Sequence, residues 1–92
     1  MNEEQANIVA WQALAFLVGE EDVLQRFMDL SGVDPSDLRE RVNDPAMLAG
    51  VLDFFLGFEP QLLQMCEATG LPAEAAAQAR HCLFGGQFDE WS

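Results

Sequence analysis

The chain has 92 residues, half of them hydrophobic, and sets 16 Asp and Glu against four Arg and no Lys, a formal net charge of −12. One domain of this size lies near the lower end of what a single core stabilises, and the apolar content with seven Phe excludes a disordered chain. Such a field disfavours direct nucleic-acid binding and anionic membranes; it suits a protein partner with a basic surface, an acidic mimic of nucleic acid, or simply a solvated acidic surface.

The chain opens on Met1-Asn2-Glu3-Glu4-Gln5, acidic where a secretory leader is basic, which reads as a cytoplasmic protein. Asn2 with Gln5 three residues later makes a capping pattern for a first helix running to about Val18, with Gly19 ending it. Ala6, Val9, Ala10, Ala13, Leu14 and Leu17 form its main stripe, flanked by Phe16. A second apolar strip, Ile8, Trp11, Ala15 and Val18, lies on the opposite side. It is either buried between layers, the outcome the pattern favours, or left open to a partner.

Glu20-Glu21-Asp22 places three carboxylates in the first turn of a second helix, where the helix dipole favours them and no calcium-loop spacing exists. Val23, Leu24, Phe27, Met28 and Leu30 supply its inward face, Asp22 and Arg26 form an i, i+4 pair, and Gly32 stops it. Asp34 then caps a short third helix with Pro35 at its first position, and Val33 and Leu38 stand at staple positions. Leu38 and Val42 face inward; Arg39, Glu40 and Arg41 face out.

Asp44-Pro45 opens the most apolar stretch, residues 45–58, with Asp53 its one charge. Phe54, Met47, Phe58, Val51, Phe55, Leu48, Leu52 and Leu56 cover more than half of its circumference, while Ala46, Gly50, Asp53 and Gly57 share a solvated strip. A helix so widely apolar is buried against several neighbours and is too short to span a membrane. Glu59-Pro60 opens a fifth helix, with Phe58 and Leu63 at staple positions and Leu62, Leu63, Met65 and Cys66 facing inward, closed by Gly70. After Leu71-Pro72 comes a helix rich in alanine, suited to close helix packing. Residues 24–33 and 62–71 echo one another at an offset of 38: Leu24, Phe27, Met28, Ser31, Gly32 and Val33 match Leu62, Met65, Cys66, Thr69, Gly70 and Leu71.

The expected fold is all-α: a compact bundle of five or six short helices around the central apolar helix at about 45–58. Residues 1–84 form one domain and 85–92 a C-terminal tail.

Chemistry-bearing constellations are sparse. Without Lys there is no Walker loop or Schiff base, and the sole His81 neighbours Cys82 at an angle unsuited to a nucleophile–base pair. Cys66 and Cys82 lack paired spacing and read as small hydrophobes in a reducing compartment. No catalytic, cofactor-binding or metal-binding residue is assigned, and no cofactor is expected. The function expected is a non-enzymatic protein-interaction or regulatory helical module, with Ile8, Trp11, Ala15, Val18, Phe88 and Trp91 as candidate partner-binding residues. Phe88 and Trp91 either fold back onto the first helix or the central helix, the outcome favoured in so small a domain, or anchor the tail in a partner groove. A second copy of the chain is also a candidate partner. The alternatives are a small ligand-binding protein or enzyme, with an apolar pocket of Phe and Met near the central helix, and an acidic nucleic-acid mimic.

Five segments carry a resemblance. Ala13-Leu14-Ala15-Phe16-Leu17, Leu30 through Arg39, Val51-Leu52-Asp53-Phe54-Phe55-Leu56, Thr69-Gly70-Leu71-Pro72 and Ala79-Arg80 resemble, in order, a family of small alphaproteobacterial proteins known only as a domain of unknown function. The resemblance implies a cytoplasmic bacterial all-α protein of about ninety residues. It implies no activity and no catalytic residue.

Overall fold

The computed structural model describes residues 1–83; the tail with Phe88 and Trp91 lies outside the described residues. Six helices follow in order: α1 (Glu3–Gly19), α2 (Glu21–Ser31), α3 (Pro35–Glu40), α4 (Pro45–Gly57), α5 (Glu59–Thr69) and α6 (Ala73–Leu83), with no strand among the described residues. The all-α expectation holds.

Local chemistry sets most boundaries. Asn2 Oδ1 accepts from the Gln5 backbone N–H at 2.8 Å, and Gln5 Oε1 accepts from the Asn2 N–H at 3.1 Å, closing the capping box of α1. Asp34 caps α3 by accepting from the Asp37 N–H at 2.9 Å, and Asp44 caps α4 by accepting from the Ala46 N–H at 3.0 Å. The start of α5 differs from expectation. Phe58 is its N-cap, with no side-chain bond, so the helix begins one residue earlier and Pro60 falls inside its first turn.

The echo at offset 38 is a structural correspondence. Ser31 Oγ donates to the Phe27 carbonyl at 2.7 Å and accepts from the Val33 N–H; Thr69 Oγ1 donates to the Met65 carbonyl at 2.7 Å and accepts from the Leu71 N–H. Gly32 and Gly70 then turn left-handed at φ 75° and 79°, and each N–H bonds back to the carbonyl four residues earlier at 2.8 Å. A hydroxyl that back-bonds its own helix, followed by glycine, ends both helices in one way.

The core is built chiefly on α4 and α1. Met47, Leu48, Ala49, Val51, Leu52, Phe54 and Phe55 of α4 are buried, as are all six residues of the main α1 stripe. Helix α1 packs on α2, α4, α5 and α6, and its contact with α6 is the most extensive between two of the described helices. Alanines permit that approach: Ala6, Ala10 and Ala13 on α1, and Ala75, Ala76 and Ala79 on α6, are all buried. Aromatic rings close the other side. Phe54 meets Phe27 at 5.5 Å and Phe55 at 5.3 Å edge-on and Phe58 at 5.2 Å in a tilted pair, and Phe16 leans on Phe55 at 6.0 Å.

Several flanking expectations change. Leu30, Leu56 and Leu63 are exposed, because the neighbours of α2, α4 and α5 cover a narrower arc than the apolar pattern spans. Arg26 makes no ion pair with Asp22 among the described residues; its guanidinium stands 5.5 Å from the centre of the Phe58 ring. Asp53 is solvated as expected, and it also accepts from Arg80 Nε at 2.6 Å, joining α4 to α6.

Candidate docking face on the first helix

The main stripe of α1 packs on other helices, and among the described residues nothing of comparable size covers the opposite side. Ile8, Trp11 and Val18 are 46%, 41% and 53% exposed, and Ala15 is exposed with them. Among the described residues the burial that the pattern favours therefore does not occur. The reason lies in α3, which is only six residues long and reaches just one edge of the strip.

That edge is held by a hydrogen bond. Trp11 Nε1 donates to the backbone carbonyl of Val42 at 2.8 Å, fastening the turn after α3 to α1. Because the only polar atom of the indole is satisfied this way, the exposed part of the ring offers carbon alone to a partner. Beside it runs an open groove of about 610 Å³ lined by Trp11, Leu14, Ala15, Val18, Gly19, Val42 and Asn43. It continues into a more enclosed cleft of about 270 Å³, where Leu24, Pro35, Leu38 and Arg39 join Leu14, Val18 and Val42. Among the described residues Arg39 is the one charged side chain lining either part.

The structure thus brings Ile8, Trp11, Ala15 and Val18 together on one open surface. The half-buried Val42 and the exposed Pro35 border the groove and cleft as well, while Leu38 is buried at the floor of the cleft, inward as its position in the pattern implies. Their role depends on α3 and the turn after it coming to lie beside Leu14 and Val18 of α1. The one sequence signal available was the isolated Trp11 on the weaker strip.

Other candidate sites gain less. Beside α4 the aromatic rings pack on each other, and the depression lined by Phe27, Met47, Ser31, Val33, Arg41, Ala46 and Gly50 measures about 190 Å³, below the range usual for ligand pockets. The carboxylates fall mostly at helix starts: Glu3 and Glu4 on α1, Glu21 and Asp22 on α2, Asp34 and Asp37 on α3, Asp44 on α4, Glu59 on α5 and Glu74 on α6. That placement serves helix dipoles and caps, whereas a mimic of nucleic acid needs acids in file along one face. Among the described residues no three His, Cys, Asp or Glu side chains are placed to hold a metal ion. No single helix there is long and apolar enough to cross a membrane.

No curated protein and no solved structure matches the chain. The model of a family described as "Protein of unknown function (DUF3572)" matches residues 3–86, nearly the whole length, and the chain belongs to that family.

Proposed function

We propose that this protein is a non-enzymatic interaction module and that the open α1 face is where its partner docks. One observation carries this reading: Ile8, Trp11, Ala15 and Val18 form a contiguous apolar strip, exposed on a folded helix and continuous with a groove. Scattered exposed apolar residues are ordinary on small proteins, but a strip two turns and more in length beside a groove marks an interaction surface. Its spacing of three, four and three residues is that of a helix face, so a partner helix can lie along it, its side chains entering the groove between α1 and α3.

A photo-activatable cross-linker at position 15, compared with one at the exposed Gln78 on α6, tests this in cells. Position 15 is expected to give a discrete adduct whose cross-linked peptide is an apolar helix face, while position 78 gives none. Absence of any adduct from position 15, or the same adducts from both positions, would remove the docking face.

A further inference from the structure

On the reading of α1 as a docking face, we infer that its partner is an amphipathic helix with basic ends and not a second copy of this chain. The strip itself carries no charge, but exposed carboxylates bracket it. Glu3 and Glu4 stand at one end and Glu20 and Glu21 at the other. The rise of α1 puts Glu4 and Glu20 about 24 Å apart, the length of a partner helix of about 16 residues. None of these four acids takes part in an ion pair among the described residues. They are therefore available to cations brought by a partner.

The same arrangement selects against self-association. A second copy laid antiparallel along the strip sets Glu3 and Glu4 against the partner copy's acidic far end. Laid parallel, it sets each acidic end against its equivalent. Both registers juxtapose like charges between two chains of net charge −12, and among the described residues lining the groove and cleft Arg39 alone gives relief. A helix with Lys or Arg at each end makes the opposite match and meets a surface whose overall field draws it in. Arg39 adds a local rule. It lines the cleft beside Val18 and Leu38, so the partner side chain arriving there is neutral or acidic.

The probe is an 18-residue helical peptide with leucines on one face and two lysines at each end. Its control carries glutamates in place of the lysines. Binding is read from the emission of Trp11 in the Trp91→Phe chain, which leaves one tryptophan. The lysine peptide is expected to bind at least tenfold more tightly than the glutamate peptide, and its affinity is expected to fall as salt rises. The quadruple variant E3Q/E4Q/E20Q/E21Q is expected to lose about tenfold for the lysine peptide. Ala15→Glu is expected to abolish binding although it adds a negative charge, which separates docking in the groove from diffuse attraction. Equal affinity for both peptides, indifference to salt or to the quadruple variant, or binding retained by Ala15→Glu would overturn the inference. So would a protein that sediments as a dimer with Trp11 shielded at the contact. If the lysine peptide fails while position 15 still yields its cellular adduct, the charge assignment falls and the docking face stands. Loss of the adduct removes both.

Discussion

Phe55→Ala is expected to destabilise the fold by about 3–5 kcal/mol, the usual cost of removing a buried phenyl ring. Phe55 is wholly buried, the largest such side chain among the described residues, and it meets both Phe16 of α1 and Phe54 of α4. Its loss opens a cavity where the two central helices face each other, and neither neighbouring ring can fill it without leaving its own partners. Because a domain of this size changes its melting temperature by about 4–8 °C per kcal/mol, the midpoint is expected to fall by roughly 12–40 °C. Thermal unfolding followed by circular dichroism measures this. The internal control is Leu63→Ala, a comparable deletion at a residue 55% exposed, expected to stay within about 0.5 kcal/mol of the parent. Equal effects at the two positions would mean that the core is not built as described.

The second large effect is expected from adding volume. Ala79→Leu puts three more carbon atoms into the interface between α6 and α1, where Ala79 is fully buried and alanines line both helices. Overpacking of a close interface costs about 1–3 kcal/mol and displaces the helix that carries it. A drop of roughly 5–20 °C in melting temperature is expected, from the same conversion. The exposed Ala77, two residues away on α6, supplies the comparison. Ala77→Leu is expected to leave the midpoint nearly unchanged, because alanine and leucine differ little in helix propensity. If Ala79→Leu were as silent as Ala77→Leu, the α1–α6 contact would be looser than its buried alanines imply.

How far the sequence foretells this structure depends on the range of the interaction concerned. The capping box at Asn2 and Gln5 and the Asp-Pro starts at Asp34 and Asp44 involve residues within three positions of each other, and each is legible from the text of the chain. So are the paired stops at Ser31-Gly32 and Thr69-Gly70, whose hydroxyl bonds close within four residues. The start of α5 is not, because the backbone of Phe58 takes the cap with no side-chain signature. Periodicity finds the apolar face of a helix but not how much of it the neighbours will cover, which is why Leu30, Leu56 and Leu63 were expected inside. The Arg80–Asp53 pair spans 27 positions and the Trp11–Val42 bond spans 31, and no local pattern announces either.

The docking face was half legible for the same reason. The spacing of Ile8, Trp11, Ala15 and Val18 showed a second apolar strip, but whether it lies inside or outside depends on how far α3 reaches along α1. A six-residue helix anchored by Leu38, with the turn after it tied to Trp11 by one hydrogen bond, leaves most of the strip uncovered among the described residues. Burying an aromatic of that size is worth about 2 kcal/mol. Trp11 is 41% exposed, so part of that energy remains for a further contact. The tail residues Phe88 and Trp91 lie in the remaining stretch of chain, so a truncation at residue 84 belongs in any test of what covers Trp11.

Collisional quenching of Trp11 fluorescence by a neutral quencher, in the Trp91→Phe chain alone and at low concentration, addresses the central claim most directly. An open docking face predicts red-shifted emission that is readily quenched, with the same accessibility in the chain truncated after residue 84. Emission that is blue-shifted and shielded in both forms, in a monomer, would contradict it, because the indole would then already be buried and the strip on α1 would have nothing to offer a partner.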